Sequence, residues 1–463
     1  MKKIFSFIAL LALFVVLTPF HNTYAEETKD YYTILVKDEK ETQETIKKIS
    51  AHNTQIVYTV PEVGLVQVRS TESEIKNISK IDTIDTYNKS LKLTDSHEEI
   101  NKSINVRTLP VLWESQWDMQ KVTNNGESYK VFSGSKNVTV GIVDSGLDIN
   151  HPDLKNNIVP GSKNLVPLGG YKGGEPQETG DVNQLTDFRG HGTHTAGLVA
   201  ANGNIKGVAP DVGIKSYRVF GSSSGESAWV IKGIVEAAKD DVDVINLSLG
   251  SYLINGTTFS ANGKSKKDIA EIKAYKKAIN FARKQGSIVV AAAGNDSLNM
   301  RDKKQVAEFY NKKYEKDGIT FKGEVLDAPA DLPNVVTVSS IGPSNELSLF
   351  SNYGAHFVDI AAPGGDTRLL DTYGKDAWVN DKWFAKESIL STSPMGGYFY
   401  SSGVSTAAPK VSGALALIID KYHFKDQPKK ATNFLYKYGV NNEIKNKDHF
   451  GNGILDVYKA VTH

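Results

Sequence analysis

The chain has 463 residues, of which 40% are apolar and 23% charged, a composition typical of globular proteins rather than of disordered or coiled-coil chains. Its 54 basic and 53 acidic residues give a net charge of +1, which provides no general attraction to nucleic acid or to an anionic membrane. Cysteine is absent from the sequence, which excludes disulfides, thiolate metal sites and a cysteine nucleophile. Nucleophilic chemistry must then come from serine, threonine, lysine or a carboxylate.

The N-terminus has the pattern of a secretion signal. Two lysines precede an apolar run over residues 4–20, and the small residue Ala25 follows. We therefore predict a cleaved signal peptide over 1–25 and a secreted, extracellular mature protein. A retained membrane anchor is the alternative, although about 17 apolar residues lie at the lower limit for a transmembrane helix. Since no second apolar run of that length follows, we expect no stable membrane span in the mature form.

The rest of the chain divides into two predicted domains. Residues 26–107 alternate strand-like runs (31–36, 65–69) with helix-like runs (41–50, 72–80), which predicts a small α+β domain. From 108 to 463, nearly continuous apolar runs at 138–143, 242–247 and 288–293 are separated by helix-like segments such as 228–239 and 268–285. This pattern predicts an α/β domain with a parallel sheet buried on both faces. The lysine-rich stretch 264–277 also carries acids, and we interpret it as a solvated helix face rather than a nucleic-acid patch.

Three short segments contain candidate catalytic residues. They are Asp-Ser-Gly at 144–146, Gly-His-Gly-Thr-His-Thr-Ala-Gly at 190–197 and Gly-Val-Ser-Thr-Ala-Ala-Pro at 403–409. Taken singly, each has another interpretation: an ordinary turn, a metal-binding pair His191/His194, and a helix N-cap at Ser405. The histidine spacing does not match the usual zinc-protease pattern. Together, however, the chain order Asp144, His191, Ser405 is one of the known orders of a nucleophilic triad.

These three motifs resemble those of the subtilisin-like serine proteases, peptidase family S8. Further matching stretches lie at 151–154, 207–210, 248–250, 293–295 and 362–364. Within that family, four stretches resemble the lantibiotic leader peptidases: 116–119, 163–168, 178–182 and 410–423. The resemblance implies a subtilisin-like parallel sheet flanked by helices, preceded by a small α+β propeptide domain.

The resemblance also implies residue roles. Ser405 would be the nucleophile, His191 the general base and then acid, and Asp144 the group that orients the imidazole. Asn295 would donate to the oxyanion, and His194 would be structural. The chain departs from the family pattern beside the nucleophile, where Val404 replaces the usual threonine and removes a hydroxyl, and where Thr406 replaces methionine or leucine.

The expected substrate site consists of two backbone segments and one pocket. An extended peptide would pair with Ser224–Gly225 and with Ser248, Leu249 and Gly250. The resemblance aligns Asp327 with the floor of the pocket beside the scissile bond, and Asp296 lies at its rim. Carboxylates there would favour arginine or lysine before the cut, and the resemblance to leader peptidases, which often cut after arginine, favours arginine. The alternative is that Asp327 is only a loop residue before Pro329.

The implied zymogen organisation is a signal peptide at 1–25, an inhibitory and folding-assisting propeptide at 26–107, and a catalytic domain at 108–463. The candidate junction lies between Arg107 and Thr108, with Lys102 as the second candidate. No cofactor is needed for the chemistry. Asp153 matches a calcium position of some relatives, but the loop from Gly197 to Gly207 is shorter than theirs. We therefore predict no tight calcium site there, while an oxygen-ligated site elsewhere stays open.

The sequence thus predicts a secreted serine endopeptidase that removes the leader peptide from a lantibiotic prepeptide, with arginine before the cut. Its partners would be that modified prepeptide and its own propeptide, with no nucleic acid. One alternative is a broad-specificity extracellular protease, which a narrow cleavage profile would exclude. The other is a weakly active or non-catalytic binding protein, which the complete set of catalytic residues argues against.

Overall fold

The computed structural model describes residues 27–93, 112–260, 265–266 and 268–463. The predicted signal peptide over 1–25 and the predicted junction at Arg107–Thr108 lie outside these residues, as does Lys102. Within the described residues, no helix is both long and apolar enough to cross a membrane.

Residues 27–93, here called the N-terminal unit, form the predicted α+β arrangement. The elements are β1 (Asp30–Val36), α1 (Thr42–Ser50), β2 (Gln55–Val60), β3 (Leu65–Ser70), α2 (Glu72–Ile78), β4 (Ile84–Lys89) and β5 (Lys92–Leu93). The four longer strands form an antiparallel sheet in the order β2-β3-β1-β4. Alternate strand residues such as Ile34, Val66 and Val68 point to one face, where they pack against Ile49 of α1 and Ile75 of α2.

Residues 112–463, here called the large unit, contain the remaining elements. The helices are α3 (Trp117–Val122), α4 (Glu127–Val131), α5 (His191–Ala200), α6 (Ser227–Lys239), α7 (Ile269–Lys284), α8 (Lys303–Lys313), α9 (Arg368–Asn380), α10 (Phe384–Glu387), α11 (Val404–Lys421), α12 (Pro428–Tyr438), α13 (Lys447–Phe450) and α14 (Val457–Thr462). The strands are β6 (Thr139–Asp144), β7 (Lys163–Asn164), β8 (Gly213–Arg218), β9 (Gly225–Glu226), β10 (Val244–Leu247), β11 (Ser251–Ser260), β12 (Ser265–Lys266), β13 (Ile288–Ala292), β14 (Ile319–Ala328), β15 (Val335–Ile341), β16 (Ile360–Pro363), β17 (Ile389–Ser393), β18 (Gly397–Ser401), β19 (Val440–Asn441) and β20 (Ile454–Leu455).

A mostly parallel sheet forms the centre of the large unit, as predicted. Nine strands lie in the order β19-β20-β16-β15-β13-β10-β6-β8-β7, and every neighbouring pair is parallel except β19–β20 at one edge. Successive residues of β6 and β10 belong to different core clusters: Ile142 and Val244 to one, Val143 and Ile245 to the other. The first cluster also contains residues of α5 and α11, and the second contains residues of α6 and α7. Both faces of the sheet are thus covered, which explains the continuous apolar runs.

The strand order brings three of the predicted site segments to one edge of the sheet. Strands β13, β10 and β6 are neighbours and run in the same direction, so their carboxyl ends lie side by side. Asp144 is the last residue of β6, Ser248 directly follows β10, and Asn295 lies three residues after β13. Ligands of open α/β sheets bind at this edge.

The N-terminal unit lies against helices α6 and α7. Apolar side chains of both units share one core cluster, including Leu35 and Val63 from the N-terminal unit and Ile231 and Ile279 from the large unit. Two carboxyls of the large unit are buried at this interface. Gln67 donates to Glu226 over 2.7 Å, and Asn88 donates to Glu271.

The lysines of α7 take part in the same interface. Lys273 and Lys276 are exposed, as the sequence predicted for this stretch. In addition, Lys273 forms an ion pair of 2.7 Å with Asp85, and Lys277 lies 3.4 Å from Glu39. The solvated face is therefore also a contact surface for the N-terminal unit.

A buried ion pair connects the beginning of the large unit to helix α11. The Nζ atom of Lys410 lies 2.8 Å from Oδ2 of Asp118 in α3, and both side chains are fully buried. Lys410 also donates to the carbonyl of Thr406 over 3.0 Å. Burial lowers the pKa of Lys410, and the Asp118 carboxylate opposes that shift. The pair thus fixes the first turns of α11 to residues that precede the sheet.

We expect Asp118→Ala to lower the free energy of unfolding by about 3–5 kcal/mol, because it leaves a buried ammonium group without its partner. Denaturant unfolding of the Ser405→Ala variant, with and without the second change, would measure the effect. The double variant Asp118→Leu/Lys410→Met should recover most of the loss, since an apolar pair needs no desolvated charge. A loss below about 1 kcal/mol for Asp118→Ala would contradict the role given to this pair.

Candidate active site

The buried Asp144 and the half-buried His191 form a hydrogen-bonded pair. His191 is the first residue of α5, and its Nδ1 atom lies 2.7 Å from Oδ1 of Asp144. Asp144 is fully buried, and the same oxygen accepts the backbone N–H of Ser145 over 2.6 Å. Because an ionised carboxylate only accepts hydrogen bonds, Nδ1 of His191 must carry the proton. The other ring nitrogen, Nε2, then has a lone pair with which to accept a proton.

Asp187 holds the first turn of α5 in place. Its Oδ2 accepts the backbone N–H and the hydroxyl of Thr193 over 2.8 and 2.7 Å, and its Oδ1 accepts the N–H of Gly190 over 2.8 Å. Ser145 donates to Asp187 over 2.8 Å and accepts the N–H of Gly192 over 2.9 Å. Asp187 was not among the residues predicted from the sequence, although an aspartate shortly before a helix is a recognisable capping signal.

Ser405 lies at the start of the buried helix α11. It is the second helical residue, and the N-cap position belongs to Gly403, whose backbone is extended (φ 168°). The interpretation of Ser405 as an N-cap is therefore wrong. Ser248, at the end of β10, donates to the carbonyl of Ser405 over 2.7 Å and so joins the sheet edge to this turn. The helix N-terminus at this position favours developing negative charge.

The side-chain amide of Asn295 has its nitrogen available for a ligand. Its Oδ1 accepts the backbone N–H of Val404 over 2.9 Å, which fixes the orientation of the amide. Its Nδ2 atom is buried and has no hydrogen-bond partner. A Cβ atom at Gly403 would lie 3.1 Å from Oγ of Ser405 and 3.3 Å from this Nδ2. Glycine at 403 thus keeps open a space that both atoms border, where an oxyanion beside Ser405 would accept from Asn295.

The side chains on either side of Ser405 are both buried. The Val404 side chain is fully buried in the core cluster that contains residues of α5 and α11. The Thr406 hydroxyl donates to the carbonyl of Gly364 over 3.0 Å. The Thr406 hydroxyl therefore does not replace the one that Val404 lacks.

His194 and Asp153 have protein partners. His194 is buried, and its Nε2 lies 3.3 Å from the carbonyl of Phe399, so the two histidines of the motif contact different groups. Oδ2 of Asp153 accepts the N–H of Ile205 over 3.1 Å and the hydroxyl of Tyr398 over 2.9 Å. Among the described residues, no group of three or more histidine and carboxylate side chains is arranged to hold a metal ion.

Asp327 lies in strand β14 and not in a loop, so the loop interpretation is wrong. It is fully buried, and neither carboxyl oxygen has a hydrogen-bond partner. Its Oδ2 lies 2.8 Å from where a Cβ atom would stand at Gly294, the residue before Asn295. Burial raises the pKa of Asp327 well above its usual range, Asp331 and Asp296 raise it further, and the nearby amide of Asn352 opposes the shift only in part.

Asp296 occupies the same region with different partners. Its Oδ2 accepts the hydroxyl of Tyr252 over 2.6 Å, and that hydroxyl accepts a hydrogen bond from Asn352 over 2.7 Å. Burial raises the pKa of Asp296 as well. The sequence did not place Tyr252 and Asn352 beside Asp296, because they lie 44 and 56 positions away from it in the chain.

The two predicted substrate segments differ in what covers them. Strand β9 pairs antiparallel with β5 of the N-terminal unit, with Leu93 opposite Gly225 and Lys92 opposite Glu226. The side chain of Ser224 donates to Glu175. In the second segment, Leu249 is buried in the same cluster as Leu93, and Gly250 leads into β11. The edge next to Gly225 is thus able to hold an extended peptide.

Comparison with known proteins agrees with this geometry. The model of the subtilase family, Peptidase_S8, matches residues 135–453. The chain belongs to the subtilase family. It is a subtilisin-like serine peptidase, and subtilases need no cofactor for their chemistry.

Two relatives of this subtilase process lantibiotic leaders. The epidermin leader peptide-processing serine protease EpiP of Staphylococcus epidermidis is 43% identical over 482 residues, covering 100% of both chains. The nisin leader peptide-processing serine protease NisP of Lactococcus lactis is 45% identical over 323 residues, covering 70% of this chain and 46% of NisP. The crystal structure of EpiP from Staphylococcus aureus has a TM-score of 0.82 at 42% identity and covers 94% of this chain and 98% of that chain.

We expect Asn295→Ala to lower kcat by about 10²- to 10³-fold and to leave KM nearly unchanged, because the lost donor would act mainly on the transition state. Steady-state kinetics on a short peptide would measure both constants. Asn280→Ala is a suitable control, since the side chain of Asn280 is exposed on α7 and accepts a hydrogen bond from that of Asn334. A raised KM with unchanged kcat would show that Asn295 binds substrate instead.

Proposed function

We propose that this subtilase is a secreted endopeptidase that removes the leader peptide from a lantibiotic prepeptide. The proposal is supported mainly by the 43% identity to the epidermin leader-processing protease over the full length of both chains. The chemistry is supported by the 2.7 Å contact between His191 and Asp144 and by the free Nδ2 of Asn295 beside Ser405.

In the proposed mechanism, Oγ of Ser405 attacks the scissile carbonyl while Nε2 of His191 takes the hydroxyl proton. Asp144 stabilises the imidazolium that forms. The carbonyl oxygen becomes negatively charged and accepts from Nδ2 of Asn295 and from the N–H of Ser405. His191 then gives its proton to the leaving amine. A water molecule repeats the sequence on the acyl-enzyme, with His191 again acting first as base and then as acid.

We propose that Asp327 and Asp296 select arginine before the cut. Asp327 is buried next to Gly294 and has no hydrogen-bond partner, and an unpartnered buried carboxyl is costly. A guanidinium group would supply up to two charge-assisted hydrogen bonds and remove that cost. Asp296, held by Tyr252, would add negative charge at the rim.

We further propose that the N-terminal unit is an inhibitory propeptide and that maturation removes it at Arg107–Thr108, after signal cleavage at residue 25. The pairing of β5 with β9 supports this, because a segment of the precursor then covers part of the proposed substrate edge. The buried apolar surface that both units share fits a domain that assists folding. A parallel sheet folds slowly and gains from such assistance.

We expect the wild-type protein to lose the N-terminal unit by self-processing and Ser405→Ala to retain it, because the substitution removes the proposed nucleophile. Intact mass and N-terminal sequencing of both purified proteins would show this, with a wild-type start at Thr108. A mutant that matured in pure form would disprove self-processing. A wild-type start elsewhere would disprove the Arg107 junction alone.

We expect Asp327→Asn to lower kcat/KM for cleavage after arginine by about 30-fold or more, and to change cleavage after an apolar residue far less. The substitution is isosteric and so should preserve folding. In the wild type, the ratio of kcat/KM for arginine over the apolar residue should rise with pH, because the raised pKa keeps Asp327 protonated until higher pH. The variant should lose this pH dependence.

A peptide pair that differs only in the residue before the cut, assayed from pH 5 to 9, would test the assignment. The matched control is Asp376→Asn, since the Asp376 side chain is exposed on α9. Equal losses on both peptides for Asp327→Asn, or a ratio that does not change with pH in the wild type, would remove Asp327 from the pocket.

A further inference from the structure

The large unit supplies the cation in a series of ion pairs with the N-terminal unit. Each pair joins a lysine of the large unit to a carboxylate of the N-terminal unit: Lys172 with Asp30 at 2.8 Å, Lys239 with Glu62 at 2.7 Å, Lys273 with Asp85 at 2.7 Å and Lys277 with Glu39 at 3.4 Å. The N-terminal unit therefore presents an acidic surface to a basic one.

The lysines differ in what they would contact without the N-terminal unit. Lys239 also contacts Glu236 of its own helix at 3.0 Å. The ion pairs described for Lys273 and Lys277 are all with the N-terminal unit, and Lys277 additionally donates to the carbonyl of Val36 over 3.3 Å. Removal of the unit would thus leave the positive charges of Lys273 and Lys277 on α7 without partners. Lys276 adds one more positive charge to this helix, and Glu271 in its first turn offsets one.

The N-terminal unit also shows the path that a peptide takes across α7. In β4, Asp85 contacts Lys273, and Asn88 accepts the backbone N–H of Ala270 over 2.8 Å at the start of α7. The chain then continues directly into β5, where Leu93 pairs with Gly225 of β9. Eight positions therefore separate Asp85, whose carboxylate contacts α7, from Leu93, which pairs with the proposed substrate edge.

We propose that, once the N-terminal unit has left, the α7 surface formed by Lys273 and Lys277 binds an acidic segment of the substrate's leader. This inference rests on the proposed removal of the N-terminal unit and on the proposed leader-processing function. A substrate that pairs with β9 extends upstream along the path that β4 and β5 mark. Aspartate or glutamate about eight positions before the residue opposite Gly225 then takes the place of Asp85. The surface selects prepeptides whose leader is acidic well upstream of the cut.

The test uses matured enzyme, counted by active-site titration, and three peptides with identical residues around the cut. The first peptide begins at the residue that pairs with β9 and has no upstream extension. The second adds an upstream extension with two acidic residues, and the third carries the same extension with the matching amides in place of the acids. We expect the acidic extension to lower KM by about 3- to 10-fold relative to the amide extension, with kcat unchanged. Raising the salt to 0.5 M should remove most of this advantage.

The double variant Lys273→Gln/Lys277→Gln should lose the advantage and cleave the short peptide as the wild type does. Lys303→Gln/Lys304→Gln is the matched control on α8, where the lysines pair with Glu324 and Glu308 of the large unit. Equal KM values for the acidic and amide peptides with wild-type enzyme would overturn the docking surface, even if the variant failed to fold. An equal loss in the α8 control would also overturn it. Failure to cleave the short peptide would instead count against the proposed function.

Discussion

The hydrogen bond from the backbone N–H of Val404 to Oδ1 of Asn295 joins the end of the central sheet to the first turn of α11. Because this bond uses the oxygen of the amide, the nitrogen is directed to the space above Gly403. The strand order β13-β10-β6 then sets where Asp144 lies relative to Asn295. Hydrogen bonds to Asp187 fix the turn that carries His191. Each proposed catalytic group is thus positioned by backbone contacts of the sheet and its helices.

Buried charge is compensated unequally across the large unit. Asp144 accepts two hydrogen bonds through one oxygen, and Asp118 is paired with Lys410. Asp327 has neither kind of partner. A buried carboxyl without a partner lowers stability, and proteins keep such groups mainly at functional sites. The partners of Asp144 and Asp118 are groups of the protein itself, whereas Asp327 is suited to a cationic ligand.

The sequence predicted the parallel sheet, the helices around it and the segments that carry Asp144, His191 and Ser405, because buried strands and glycine-rich turns leave local patterns. Helix α7 was expected over 268–285 and is found over Ile269–Lys284. The sequence did not predict the Asp118–Lys410 pair, whose members lie far apart in the chain and have no local signal. The environment of Asp296 has no local signal either, since Tyr252 and Asn352 lie 44 and 56 positions away from it in the chain.

The two buried glutamates at the interface make the docking of the N-terminal unit a proton-linked equilibrium. Burial raises the pKa of Glu226 to about 7, which Gln67 and Lys172 only partly oppose, and raises that of Glu271 to about 8, with Asp268 adding to the shift. When exposed, both groups would return toward the usual value near 4.5. Docking therefore takes up protons above about pH 4.5. The contribution of these two glutamates to docking is fully present below about pH 4.5 and is lost as the pH rises through 7 and 8, so mild alkalinity weakens this part of the contact between the two units.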